Sequence, residues 1–238
     1  MAMASKAAAV APGPGARLEA FLARRLHTSR RAACEYALIA LAFYRADPTL
    51  VSIAVGAAVA VAGEAMRVLT AGYGYKIGEL TLRGPYRFVR HPYFLGTALI
   101  VLGLAIGARD VYAVAATILG LTMMFRWTMA LDEARWERFL GPAFARYRVS
   151  VPAFVPRLVP VAAEVDNRGF SLQYAVFRGR HRELDALLAL LLAFGLLWIA
   201  TVTTRKDLWH AVVLATAVLY PLVRFLYYGR VRRYVAGA

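Results

Sequence analysis

The chain predicts an all-α fold, a polytopic integral membrane bundle of five or six transmembrane helices. Three observations carry this. Of its 238 residues, 61% are hydrophobic, well above the roughly one half typical of soluble domains. The apolar residues fall in six blocks, 32–44, 49–66, 94–108, 111–131, 184–204 and 208–225, which approach or reach the length of about 20 residues that crosses a bilayer core. The 29 Lys and Arg residues are spread unevenly over the intervening loops.

Taken in order, the first two blocks make a hairpin turning at "RADPT", where Asp47-Pro48 stops one helix and restarts the chain. The first and third blocks are short, so they span only with tilt or with flanking residues. Residues 67–93 read as a loop rich in glycine (Gly72, Gly74, Gly78, Gly84). The third and fourth blocks form a second hairpin turning at 107–110. Then comes "LDEARWERFLGPAFARYRVSVPAFVPRL" (131–158). Its Trp136, Phe139, Leu140, Ala143 and Tyr147 recur at helical spacing, with Arg135, Arg138, Arg146 and Arg148 among them. Gly141-Pro142 breaks or bends that helix, which predicts an interfacial piece held by aromatics and arginines. A terminal hairpin at 184–226 closes the chain. The organisation expected is a basic, partly disordered or amphipathic segment (1–31) followed by one membrane domain (32–238), with no internal repeat.

The net charge of +15 would suit a nucleic-acid binder, but its distribution argues against that partner. With six spans, Lys and Arg number six in 1–31, five in 67–90, nine in 132–182 and three in 227–238. The opposite loops hold only Arg45, Arg109 and the Arg205-Lys206 pair. This is the positive-inside pattern, and it places both termini on the cytoplasmic side of a cell (inner) membrane. The lone Cys34 rules out a disulfide framework, and the histidines at 27, 91, 181 and 210 lack metal-ligand spacing.

Chemistry concentrates in two places. In "LRGPYRFVRHPYFLG" (82–96), Pro92 suits the first position of a helix. Arg90 and His91 then lie at the helix mouth, where amides, dipole and guanidinium fork favour an anion. Gly96, one turn in, leaves room for approach to the backbone. Arg83 and Arg87 read as cations snorkelling at a membrane boundary. The second place is Asp132-Glu133, just past the fourth block. Arg126 lies seven residues before Glu133, nearly on its face, so a structural ion pair competes there with a binding role. Together, an anion-binding mouth and a carboxylate pair would receive a zwitterion carrying an extra cation. Glu64 reads as an acid near the cytoplasmic end of its span.

"RHPYFLG" (90–96) resembles the RHPxYxG motif of the integral membrane methyltransferases typified by isoprenylcysteine carboxyl methyltransferase and related to phospholipid N-methyltransferases. "DEARWERFLGPAFARYRVSVPAFVP" (132–156) is similar to that family's acidic pair, FG, tyrosines and closing P-x-F-[IV]-P. The lead-in "GELTLRGPYRFVRHP" fits as well, so the resemblance covers roughly 62–158. It implies S-adenosyl-L-methionine as methyl donor in a pocket at the cytoplasmic face. It also implies donor contacts from Arg90, His91, Asp132 and Glu133, with Pro92, Gly96 and Tyr147 shaping the pocket and Arg90 and Glu133 serving the reaction. The acceptor implied is lipophilic, a prenyl or isoprenoid carboxylate favoured over a lipid amine. Phe94 stands where the motif has tyrosine, Asp132 where it has glutamate, Phe144 where a tyrosine is common and Trp136 where a leucine is. Two other classes are weighed beside it: an NADPH-dependent membrane reductase of sterol-reductase type, which the acidic pair disfavours, and a non-enzymatic scaffold or transporter, for which no inverted repeat speaks. Nothing in the sequence sets the oligomeric state.

Overall fold

A computed structural model describes residues 37–74, 80–162, 169–178, 183–203, 207–213 and 215. The segment 1–31 and most of 208–225 lie outside these. Every regular element among the described residues is helical: α1 (37–44), α2 (Leu50–Tyr73), a 3-10 turn (Gly84–Arg87), α3 (Pro92–Gly107), α4 (Val111–Leu140), α5 (Pro142–Ser150), a π turn (Tyr174–Arg178), α6 (Glu183–Val202) and α7 (207–213). Three of them, α2, α4 and α6, are long and apolar enough to cross a membrane, and α3 is a shorter apolar helix. The chain is thus a helical membrane bundle.

Two boundaries differ from those expected. Thr49 caps α2 in a reciprocal capping box with Ser52, but the helix runs on to Tyr73, through what reads as loop from residue 67. The apolar run ends near Met66, whereas backbone hydrogen bonding continues because nothing before Gly74 breaks it. Arg67 is therefore helical, and Glu64 sits within the helix, 2% exposed. Helix α4 spans 30 residues, about 45 Å of rise. That exceeds the roughly 30 Å hydrocarbon core, so its last turns, from about residue 131, project past the apolar stretch.

α2 and α3 form the tightest pair, because small residues face each other along both. A Cβ added to Gly63 would stand 2.6 Å from the Gly96 carbonyl oxygen, and one added to Gly103 would stand 2.7 Å from the Ala60 amide nitrogen. Backbones this close maximise van der Waals contact, which drives helix association where lipid removes the hydrophobic incentive. Buried Leu104 and Ala105 extend the contact to Leu197 of α6 and to Phe43 and Trp209 of α1 and α7.

The α3–α4 turn is fixed by Asp110. Its Oδ1 accepts from the Tyr112 and Ala113 amides at 2.9 and 3.4 Å, and its Oδ2 accepts from Arg45 Nε at 2.7 Å. Asp110→Ala removes the cap and the ion pair together. We expect a loss of about 2 kcal/mol, read as a lowered Tm in detergent. Arg45→Ala will cost much less, since Arg45 is half exposed.

Candidate functional site

The motif around residue 90 and the acidic residues of α4 meet at the end of the bundle where α3 begins and α4 leaves the apolar stretch. The 3-10 turn Gly84–Arg87 delivers the chain to His91, which occupies the N-cap of α3, and Pro92 takes the first helical position. On α4, consecutive side chains diverge by about 100°, so only one of the two acids faces this mouth, and it is Glu133. Its Oε1 lies 3.0 Å from His91 Nε2 and 3.2 Å from Arg90 Nη2, while its Oε2 lies 3.4 Å from Arg148 Nε. Asp132 turns aside to Arg135 at 3.5 Å. Arg126 is exposed, and the cations on Glu133 are Arg90 and Arg148. The competing Arg126–Glu133 pair is not made.

Arg90 and His91 are buried, and aromatic packing sets the imidazole plane. His91 stacks on Phe94 and Trp136 at centroid separations of 5.5 and 5.4 Å, Trp136 meets Phe144 edge-on, and Phe94 stacks on Phe125. Trp136 and Phe144, both departures from the family pattern, thus build the wall behind the histidine. The Glu133 carboxyl, beyond the apolar stretch 111–131, is held below the usual carboxylate range. The His91 hydrogen bond is the main cause, and the two arginines add to it against partial burial.

The second motif block works chiefly through its backbone. Gly141 adopts φ +54°, which L side chains rarely do, and Pro142 opens α5. The bend turns Phe144 and Tyr147 inward while Phe139 stays exposed, so the single face expected across 136–147 is divided. After α5 the chain runs beside the first motif. Arg90 and His91 donate their amides to the Pro152 and Ala153 carbonyls at 2.8 and 3.1 Å, and Arg157 donates to Phe88 at 3.0 Å. These two amides, expected to be open to an anion, are therefore taken up by the P-x-F-[IV]-P segment. The Arg90 side chain also donates to the Arg148 carbonyl, and its Nε is buried with no hydrogen-bond partner.

The remaining predicted residues divide. Pro92 is buried at the mouth. Tyr147 donates its hydroxyl to the Tyr86 carbonyl at 2.8 Å, and burial pushes its phenol pKa well up, so it ties α5 to the 3-10 turn as a neutral donor. Gly96 faces α2: a Cβ there would stand 2.6 Å from the Gly63 carbonyl oxygen and 2.7 Å from Arg67 Cγ. The space it leaves is filled by the neighbouring helix. Tyr93 does not stand in for the missing motif tyrosine, because its hydroxyl accepts from Arg67 Nη2 at 2.6 Å while Phe94 faces the histidine. Arg148 is the site residue that sequence reasoning missed; it lies fifteen positions from Glu133, and only the bend at Gly141 brings it back.

A helical membrane protein with a buried Arg-His-Glu cluster at one end of the bundle is the class that this geometry defines. Residues 49–141 match the family model described as phospholipid methyltransferase, so this segment is similar to that family of membrane methyltransferases. A Cupriavidus metallidurans protein described as cobalt-zinc-cadmium resistance protein CzcN is 33% identical over 88 residues, which are 36% of this chain and 39% of that protein. The chain thus spans about two fifths of the length of that curated relative. No solved structure matches the chain.

Proposed function

We propose that this protein is an integral membrane methyltransferase that uses S-adenosyl-L-methionine and acts on a lipophilic acceptor reaching the site from the bilayer. The observation that carries this is the Arg90–His91–Glu133 cluster, inside the family segment and at the bundle end richest in cations. The residues fit the donor. Arg90 brings a buried guanidinium with an unpartnered Nε, suited to a carboxylate. Glu133 brings a carboxylate held ionised, suited to a cation. Asp132, turned aside, would serve at most at the rim.

When bound, S-adenosylmethionine supplies a methyl group on a sulfonium for in-line displacement. The protein's part is to orient donor and acceptor and to keep water out. The stack Phe125–Phe94–His91–Trp136 gives the mouth an apolar wall. A carboxylate acceptor needs no base, whereas an amine must first lose a proton. Glu133, engaged by His91, Arg90 and Arg148, is a poor proton acceptor, which favours a prenyl or isoprenoid carboxylate over a lipid amine. Arginines 83, 87, 90, 135, 138, 146, 148 and 157 lie at or near this end, and Arg45 and Arg109 at the other. That supports a cytoplasmic-facing site in an inner membrane, with both termini on that side if six helices span.

Calorimetric titration of nanodisc-embedded protein with S-adenosylhomocysteine, alongside NADPH, tests the reading. Saturable binding of S-adenosylhomocysteine alone is expected. Binding of NADPH alone would replace this reading with a reductase.

A further inference from the structure

A second charged cluster lies on the other side of α3, built by residues that no family motif singles out. Arg67 of α2 donates to the Tyr93 hydroxyl, and its guanidinium carbon sits 4.6 Å from the Tyr93 ring centroid. The same guanidinium pairs with Glu183 Oε2 through Nη2 at 2.9 Å and Nε at 3.0 Å. Glu64 Oε2 approaches Nε at 3.8 Å. Glu183 is fully buried as the first residue of α6, and Glu64 is 2% exposed. Charged groups inside a membrane domain are costly, and where they persist they usually serve a function.

The placement indicates what these groups do. Tyr93 is two residues from His91, in the opening turn of α3. The turn is thus gripped from opposite sides, His91 by Glu133 of α4 and Tyr93 by Arg67 of α2. Glu183 lies outside the family segment 49–141, so the counter-charge for this grip comes from the C-terminal part of the chain. Gly96 completes the arrangement, because any side chain there would collide with the Arg67 stem.

We propose that Arg67 is a positioning residue for the donor site. It clamps Tyr93 to Glu183, fixes the rotation of the first turn of α3, and so couples α6 to the Arg90–His91 mouth. None of the three touches the donor in this scheme. The inference rests on the methyltransferase reading, and its test keeps the two apart.

The test measures S-adenosylhomocysteine affinity and Tm on the full chain in nanodiscs. Tyr93→Phe keeps every charge and the ring but removes the hydrogen bond. We expect wild-type Tm with affinity about tenfold weaker. Arg67→Met alone strands two buried acids and is expected to fold poorly, so the companion is the neutral triple variant Arg67→Met/Glu64→Gln/Glu183→Gln. It should recover Tm without recovering affinity. If affinity returns along with Tm, Arg67 serves stability alone and the proposal is overturned. A Tyr93→Phe protein that binds like wild type overturns it equally. Failure of the wild type to bind at all removes the methyltransferase reading and this inference with it.

Discussion

Glu133→Ala should abolish measurable S-adenosylhomocysteine binding, a loss of about a hundredfold or more, and should destabilise the fold by about 3 kcal/mol. Both effects have one origin. The carboxylate is the anion shared by Arg90, His91 and Arg148, and its removal leaves a buried guanidinium facing an imidazole with no counter-charge. Glu133→Gln keeps a hydrogen bond to His91 but not the charge, so it should fold better than the alanine variant and bind nearly as poorly. Asp132→Asn is the control. It alters the neighbouring acid, whose partner is Arg135, and should change affinity by less than about threefold. An Asp132 variant that loses binding while Glu133→Gln retains it would reverse the assignment of the two acids. The sign of the pH dependence follows. The pKa of Glu133 is lowered in the folded protein, so its contribution to stability is fully present above the ordinary carboxylate range. It is lost as pH falls through the lowered value.

Gly103→Val should be the most damaging substitution away from the site. The new Cβ would press on the Ala60 amide nitrogen at 2.7 Å, and a helix backbone cannot yield as a side chain does. The two helices must separate, at a cost of about 3 kcal/mol, seen as a lowered Tm and loss of a monodisperse species in detergent. Gly195→Ala in α6 is the matched control. Nothing lies within 4 Å of a Cβ added there, so alanine should leave Tm unchanged or raise stability by about 0.5 kcal/mol through helix propensity. Equal damage from both variants would mean that the α2–α3 contact is no tighter than a lipid-facing surface.

Much of the fold was legible because bilayer-scale hydrophobicity and local punctuation are one-dimensional signals. Apolar length marked α2, α4 and α6, Asp47-Pro48 and the 107–110 turn marked two chain reversals, and Gly141-Pro142 marked the bend that the structure makes. The end of α2 is not legible in the sequence, because hydrophobicity falls off at Arg67 while the helix continues to Tyr73; only the backbone decides where hydrogen bonding stops. The outer parts of the first and last blocks fall outside the described residues, as does the basic segment 1–31.

The sequence by itself determined the membrane class and the motif resemblance, and it singled out Arg90, His91 and the Asp132-Glu133 pair as candidates. Each is written in local spacing or in residue type. Tertiary structure alone decided which acid faces the mouth, that Arg148 returns to it, and that the Arg90 and His91 amides are taken by residues 152–153. It also decided that Gly96 makes room for α2 and that Tyr93 points to Arg67 instead of toward the histidine. The physical reason is that a helix sends adjacent residues about 100° apart. Neighbours in sequence, Asp132 and Glu133 or Tyr93 and Phe94, therefore part company, and which of them meets the site depends on the rotation of each helix against its partners.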